Sequence, residues 1–453
     1  MDSLDAQPDL TSPRRPRCRS RLVALVLWAA LAILLAGCAQ DAPLDTLKPK
    51  GPAARDIDNL STPVFVVAGV VFVIVNFGVL YIAVKFRRRP GDEEFPEQIH
   101  GNTKLELGWT IAPGVVLLAI AVATVATLFK LADTPDDTAL TVRVEGQQWW
   151  WRYIYDTNGN GEYGDKGDVI TANELVMPAG QPVALKITSN DVIHSFWIPA
   201  LNGKKDAVPG RVHDLWFEAD EPGRYLGQCT EFCGLSHANM RMVVDARSPA
   251  EFERWLLDQQ ADSAIPPASA VEARRGLDLF VAQCARCHEV RGVNSDGCEP
   301  LPRDSAGAED ERQYRPGVSC WKGANGNTVP QQVAGVAPDL THLMSRATIA
   351  GSILPLKNED GTLDRVSLEE WLRNPPGVKA MAPDPSARAV ALSEKLDAAA
   401  EEASEEAPAP ASGATTTTTE RPRDLKEFGR GMPNLNLTEE QIDDLVAYLS
   451  TLQ

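Results

Sequence analysis

Cys229-Thr230-Glu231-Phe232-Cys233-Gly234-Leu235-Ser236-His237-Ala238-Asn239-Met240 is the stretch on which the reading of this chain turns. It spells Cys-x3-Cys-x3-His-x2-Met. A second histidine lies upstream, in Asp191-Val192-Ile193-His194-Ser195-Phe196-Trp197. Two thiolates, two imidazoles and a thioether form a soft nitrogen–sulfur donor set, which favours copper over magnesium or calcium. One copper ion would need fewer ligands. Two bridging thiolates with one imidazole each suit a pair of coppers that share one electron. The alternatives are a Cys229–Cys233 disulfide beside an unrelated His and Met, or a zinc site, for which a thioether is an unusual ligand.

Outward from this run, residues 138–248 alternate as strands do. Thr141-Val142-Arg143-Val144, Pro182 to Thr188 and Leu215-Trp216-Phe217 are examples, and Gly and Pro punctuate them at short intervals. The pattern predicts a β-sandwich or small barrel. Trp149, Trp150 and Trp151 follow the first strand. On alternation Trp149 and Trp151 share one face and Trp150 the other, which predicts core aromatics plus one at the surface.

N-terminal to this region are two long apolar stretches. Thr62 to Val84 carries no charge and is long enough to cross roughly 30 Å of hydrocarbon as a helix. Leu107 to Phe129 is the second, and its Pro113 is tolerable in a membrane helix. Lys85, Arg87, Arg88 and Arg89 between them place that loop in the cytoplasm. Both ends of the hairpin then emerge outside, and everything after about residue 132 is expected to be exported. Exported cysteines are expected to be disulfide-bonded, metal-bound or covalently modified. The first 37 residues read as a lipoprotein signal peptide. Arg14 to Arg21 supply a positive segment, Leu22 to Leu35 a short apolar run, and Leu35-Ala36-Gly37-Cys38 a site for cleavage and lipid attachment at Cys38. An uncleaved anchor helix is the alternative.

The chain has 453 residues, which predicts about three folding units. Its 44 basic and 62 acidic residues give a net charge of −18. Such a chain is a poor ligand for nucleic acid and suits a basic protein partner better. Six histidines and eight cysteines are few for this length, so their clustering carries information.

Both spans and the sandwich resemble subunit II of the haem–copper cytochrome c oxidases. The residues that carry the likeness are Leu105-Glu106-Leu107-Gly108-Trp109-Thr110, Gln148-Trp149-Trp150-Trp151, His194-Ser195-Phe196 and the run Cys229 to Met240. The resemblance implies a cupredoxin-like sandwich with a binuclear copper A centre. Its ligands would be His194, Cys229, Cys233, His237, Met240 and the backbone carbonyl of Glu231. The Glu231 side chain would reach a magnesium ion shared with subunit I, as suits a hard cation. Trp149 would take electrons from the donor, and Glu106 would open a proton path into subunit I. The residues alone leave Trp149 equally a core aromatic and Glu106 equally a carboxylate favoured by a helix N-terminus.

After a helix-like stretch from 249, Ala264-Ile265-Pro266-Pro267-Ala268-Ser269-Ala270 closes a linker placed at 261–270. Then comes Gly276-Leu277-Asp278-Leu279-Phe280-Val281-Ala282-Gln283-Cys284-Ala285-Arg286-Cys287-His288. Cys-x-x-Cys-His is the c-type haem attachment signature, so Cys284, Cys287 and His288 are expected to hold haem c. Met432 and Met381 compete for the sixth iron position. Met432 precedes an amphipathic terminal helix with Thr438 as N-cap and Gln441 at the capping-box position, and is preferred. The segment resembles an all-α class I cytochrome c. Ala337-Pro338-Asp339-Leu340 fits that likeness, with Pro338 beside the proximal imidazole; His342, a rival imidazole, is expected at the surface. The loop 291–330 carries Cys298 and Cys320, expected to form a disulfide. Residues 384–424, rich in Ala, Glu, Pro and Thr, are expected to be disordered.

The whole therefore reads as a multi-domain membrane protein: signal peptide 1–37, N-terminal segment with a two-helix transmembrane hairpin 38–132, copper A domain 133–260, linker 261–270 and cytochrome c domain 271–453. It resembles the caa3-type subunit II with its cytochrome fused. The resemblance implies an oxidase at the bacterial plasma membrane that reduces O2 to water and pumps protons. It implies oxidase subunits I and III as partners, and a cytochrome bc complex or cytochrome c as donor. The O2 site would be in another subunit. A stand-alone membrane-anchored electron carrier is the alternative, but Glu231 and Glu106 are useful only against a catalytic subunit. A copper-delivery protein would hold its copper labile. Nitrous oxide reductase would need a histidine-rich catalytic domain that six histidines cannot supply.

Overall fold

A computed structural model describes residues 28, 42–88, 91, 100–164, 167–285, 287–293, 318–322, 328–332, 337–381 and 431–453. Residues 1–45 form one unit and 46–453 another. In the first unit Trp28 is helical and exposed. The expectations for Cys38, for the Cys298–Cys320 bridge and for the insertion 384–424 lie outside the described residues; Cys320 is described only as part of a strand.

Helices α1 (Pro52–Lys85) and α2 (Thr103–Ala132) are both apolar enough to cross a membrane, and among the described residues nothing covers their apolar stretches. Pro52 starts α1, where a missing N–H costs nothing. Asn102 caps α2, accepting from the backbone N–H groups of Lys104 and Leu105. The 34 residues of α1 span about 51 Å, well beyond roughly 30 Å of hydrocarbon. Its first turns project from the membrane zone and dock on the sandwich. Ala53 and Ala54 are buried, the Ala54 N–H donates to the Leu201 carbonyl at 3.1 Å, and Arg55 grips Asp220 with both guanidinium nitrogens. At the far end of α2, Lys130 reaches Asp56 at 2.8 Å, and the Leu131 carbonyl accepts from Trp216 Nε1 at 3.3 Å.

The sandwich follows. Strands β1 (Thr141–Gln147), β2 (Trp150–Tyr155), β3 (Val169–Ala172), β5 (Val183–Ser189) and β8 (His213–Phe217) make a five-stranded sheet in the order β3-β2-β1-β5-β8. Strands β4 (Glu174–Pro178), β9 (Gly223–Gln228) and β10 (Arg241–Arg247) make a second, in the order β4-β10-β9. A ribbon of β6 (His194–Phe196) and β7 (Lys205–Ala207) closes one end. β1 runs parallel to β5 and antiparallel to β2, so the chain crosses between sheets rather than meandering. One core unites both sheets, with Trp151, Tyr153, Leu185, Phe196 and Phe217 fully enclosed. Trp149 and Trp151 belong to that core, and Trp150 lies outside it, as alternation requires. The expected surface aromatic is corrected: Trp150 is itself only 7% exposed.

Helix α3 (Pro249–Gln259) begins on a Ser248–Glu251 capping box and lays Trp255 edge-on to Tyr155. The C-terminal lobe has its own core. Its helices are α4 (Val271–Gln283), α5 (Arg365–Arg373), the single turn α6 (Pro375–Val378) and α7 (Glu439–Leu449). Thr438 and Gln441 cap α7 reciprocally, as their spacing indicated. The expectation of an all-α lobe is corrected by two antiparallel ladders, β11 (Val318–Lys322) with β12 (Thr328–Gln332) and β13 (Thr348–Ile349) with β14 (Leu354–Pro355). The first ladder grows from the expanded loop, where Val318, Trp321, Thr328 and Val329 favour extended backbone. His342 is not at the surface either. It is 6% exposed, with Nδ1 2.5 Å from the Gln453 carbonyl and Nε2 2.9 Å from the Ala261 carbonyl, so it ties the chain terminus to residues leaving α3.

α4 crosses α7 at Gly276. A Cβ there would stand 1.9 Å from the Asp444 carbonyl oxygen and 2.8 Å from Tyr448 Cβ. Phe280 packs on Tyr448 with ring centroids 5.3 Å apart, and Arg275 holds Asp444 through two hydrogen bonds of 2.7 and 2.6 Å. Gly276→Val is therefore expected to push the helices apart and destabilise the lobe by about 1–3 kcal/mol. Hydrogen exchange of α7 amides in the full chain checks this: faster exchange in α7 with α1 unchanged is the expected result.

Candidate metal centre

The turn between β9 and β10 carries the thiols, and β6 carries the first imidazole. Antiparallel pairing of β9 with β10 closes the Cys229–Met240 loop, in which the Cys229 N–H donates to the Met240 carbonyl at 2.9 Å. The Thr230 N–H donates to the Ser195 carbonyl at 3.1 Å, which brings β6 to the loop. Gly146 on β1 makes room, since a Cβ there would sit 2.8 Å from the His194 ring.

The donors converge. Cys229 Sγ lies 3.8 Å from Cys233 Sγ, and both thiols are free. His194 Nδ1 is 3.9 Å from Cys229 Sγ, and the Glu231 carbonyl oxygen is 3.2 Å from the same sulfur. His237 Nδ1 is 3.6 Å from Cys233 Sγ, and Met240 Sδ is 3.7 Å from it. The donor atoms of His194, Cys229 and Cys233 all fall within 4.8 Å of one another. Each sulfur thus has one imidazole and one weaker donor beside it. A soft set with two thiolates between two imidazole nitrogens fits a copper pair and does not resemble a carboxylate-rich magnesium or calcium site.

Second contacts orient these groups. His194 Nε2 is 2.9 Å from Asp191 Oδ1, which turns Nδ1 toward Cys229. Asp191 also accepts from the N–H groups of Gln148 and Val192 at 2.8 and 2.6 Å. Burial works against the Asp191 carboxylate, but these hydrogen bonds outweigh it and hold its pKa below the usual range. The same pair works on His194, whose pKa is raised by Asp191 and Cys229 in spite of burial. The hydrogen bond between the two thiols lowers the pKa of Cys229 and raises that of Cys233. A thiolate therefore stands ready for a metal ion. Gln148 Nε2 and Trp149 Nε1 both donate to the Cys233 carbonyl, at 2.6 and 3.0 Å. Trp149 is thereby joined to one of the candidate ligand residues. The Glu231 side chain is exposed beside the centre, and Glu106 is exposed in the first turn of α2.

A second set of sequence-expected residues is assembled in the C-terminal lobe. Cys284 caps the C-terminus of α4, and the N–H groups of Cys287 and His288 donate back to its carbonyl at 3.0 and 2.9 Å. His288 Nδ1 is 2.8 Å from the Pro338 carbonyl, so Pro338 does stand beside this imidazole. Burial lowers the His288 pKa and pushes the Cys284 thiol up to about 12. Met432 packs on the core of this lobe, whereas Met381 packs on the core of the sandwich.

Sequence reading missed Asp191, Gln148 and Lys379. Asp191 had a signal, an acid three residues before a ligand-type histidine in one loop. Lys379 had none: it is 4% exposed, and burial lowers its pKa to about 7.

Cys229→Ser is expected to abolish a copper A near-infrared band while leaving any haem spectrum intact. Asp191→Ala is expected to weaken copper retention by about 10–100-fold. Copper-to-protein ratios after dialysis against a chelator check both.

Known proteins place this geometry in a family. The model of the cytochrome c oxidase subunit II periplasmic domain matches residues 140–247, and that of the subunit II transmembrane domain matches residues 47–126. Cytochrome c oxidase subunit 2 of Alkalihalophilus pseudofirmus is 37% identical over 273 residues, covering 58% of this chain and 76% of that protein. Its counterpart from Bacillus sp. strain PS3 is 32% identical over 376 residues, covering 80% and 90%. The crystal structure of the periplasmic domain of subunit II of cytochrome oxidase from Bradyrhizobium japonicum is 31% identical, covering 28% of this chain and 97% of that one, with a TM-score of 0.25. A subunit II implies a copper A centre, a subunit I partner and a copper-bearing domain on the outer face of a membrane. The chain belongs to the cytochrome c oxidase subunit II family.

Proposed function

We propose that this chain is the caa3-type form of subunit II, in which a fused cytochrome c passes electrons to copper A and on to subunit I for reduction of O2 to water with proton pumping. The observation that carries the proposal is the Cys284–Cys287–His288 set at the end of α4, with His288 Nδ1 held by the Pro338 carbonyl. The Gly276 crossing of α4 with α7 supports it, because it bounds a helical lobe around those residues. The relative from Bacillus sp. strain PS3 supports it too. A match of 376 residues exceeds the 247 residues that end with the copper domain, so it extends into the C-terminal lobe.

The division of labour follows from the residues. His194, Cys229, Cys233, His237, Met240 and the Glu231 carbonyl would hold copper A. Cys284 and Cys287 would fix haem c by thioether bonds, with His288 and Met432 on its iron. When bound, these groups supply one-electron redox chemistry. Asp191 and the Pro338 carbonyl keep the ligand imidazoles in one orientation. Trp149 would receive electrons for the Cys233 side of the centre. Glu231 would reach a magnesium ion at subunit I, and Glu106 would admit protons at the inner face. Exposed Val192, Ile193, Phe232 and Leu235 flank the copper ligands and suit burial against subunit I. The domains are proposed as signal peptide 1–37, spans 38–132, copper domain 133–260, linker 261–270 and cytochrome domain 271–453. Lipid at Cys38, subunit III and a cytochrome bc complex or cytochrome c as donor complete the proposal.

Redox titration of the complex tests the iron ligands. Met432→His is expected to lower the haem potential, since a second imidazole replaces a thioether, and Met381→His to leave it in place. The reverse result would move the ligand to Met381. Cys284→Ala is expected to weaken or abolish haem staining on a denaturing gel; undiminished staining would remove the attachment assignment.

A further inference from the structure

The copper lobe buries a carboxylate that its own residues satisfy only in part. Glu174 opens β4 and is 3% exposed. Arg224 meets it at 3.0 and 3.5 Å. Its other partners come from the C-terminal lobe: the Ala347 N–H at 3.2 and 3.1 Å and Thr348 Oγ1 at 2.6 Å. A buried carboxylate stripped of such partners is costly. The opposite arrangement occurs nearby. Lys379 of the C-terminal lobe inserts its ammonium against the copper lobe, donating to the Trp149 carbonyl at 2.6 Å and to the Ala350 carbonyl at 3.2 Å. Ser236, one residue before ligand-type His237, donates to the Ala380 carbonyl. Gly351, at φ +80°, lets the two backbones approach: a Cβ there would meet Lys379 Nζ at 2.3 Å, the Asn239 carbonyl at 3.2 Å and the Trp149 carbonyl at 3.5 Å. The lobe thus meets the copper lobe at the backbone of Trp149, a residue only 5% exposed.

The structure assigns to Glu174 and Lys379 the role of positioning residues: together they latch the C-terminal lobe over the Trp149 face, so that copper A is filled from this chain's own haem and that face is closed to a separate donor protein. The inference rests on the haem c reading above for its electron source. One electron leaves ferrous iron, which becomes ferric, and arrives on the copper pair, which is reduced by one; no bond forms or breaks and no proton moves. The latch would fix the separation between the two groups, and its two ends lie on different segments, 347–351 and 379–381. Each end therefore has its own variant.

The test uses the full oxidase complex with Glu174→Gln and Lys379→Met, each accepted only if the copper A near-infrared band is retained. Hydrogen exchange of residues 346–352 is expected to rise about tenfold or more in both variants. After flash reduction of haem c, its electron transfer to copper A is expected to slow by about tenfold or more, with both midpoint potentials unchanged. Lys379→Arg is expected to recover part of the rate. A third measurement adds reduced soluble cytochrome c to a Cys284→Ala, Cys287→Ala chain: direct reduction of copper A should be slow, and should speed up when Lys379→Met is added. Unchanged exchange in both variants overturns the latch whatever the haem content. Raised exchange with an unchanged transfer rate overturns the positioning role. If the wild-type chain carries no covalent haem, the haem reading fails by itself, while the exchange result and the soluble-donor result still decide whether the Trp149 face is latched shut.

Discussion

Two sulfur atoms 3.8 Å apart, on one tight loop, are the constraint around which the copper lobe is organised. Thiolates so close repel each other unless a proton or metal lies between them. The fold tolerates the approach because each sulfur meets an imidazole nitrogen on its outer side. Bringing His194 to that loop requires β6, 35 residues upstream, to fold back against it. That in turn needs the small Gly146 beneath the ring and Asp191 behind it. The two-sheet core, with Trp151 edge-on to His194 at 5.8 Å, then backs the site with rigid aromatic packing. Function and fold are therefore joined at one place: the loop that bears the candidate ligands is also the turn that links β9 to β10.

What a linear reading could reach was set by how local each signal is. Cys229, Cys233, His237 and Met240 lie within one loop, so their spacing announces them. Cys284, Cys287 and His288 do so for the same reason. The capping box of Thr438 with Gln441 and the apolar helices are likewise local patterns. The relations that escaped are those made by groups distant in sequence. Glu174 and Thr348 meet only after both lobes have folded, and Lys379 looks like any surface lysine until Trp149 is placed over it. The burial of His342 has no local signal, because nothing near it in the chain reveals the Gln453 and Ala261 carbonyls that enclose it. Trp150 was expected outside because alternation reports which side of a strand a residue takes, not whether that side is covered. The short ladders of the C-terminal lobe do not follow from the class I likeness, which implies a compact helical domain; one ladder lies in the lengthened loop and the other beyond it.

The two lobes differ in how they are held together. The copper lobe is a single core shared by two sheets, whereas the core of the C-terminal lobe is gathered around a close crossing of two helices. At Gly276 the helices approach so closely that no side chain fits. A lobe of that kind gains from external support. It receives some from residues 261–263, where Ser263 donates to the Thr341 carbonyl at 2.6 Å and the Ala261 carbonyl faces His342. The first part of the intervening segment is thus bound to the lobe it precedes and is not a free tether.

The long first helix has a mechanical meaning. Because its outer turns grip the sandwich through Arg55 and Asp220, and because α2 adds Lys130 and Leu131 at the same level, the sandwich stands on a two-legged pedestal. Its height above the lipid is set by helix rise, and its orientation by the crossing of the legs. Any change in bilayer thickness that tilts those legs would tip the redox platform with them, making the geometry of electron delivery sensitive to the composition of the surrounding membrane.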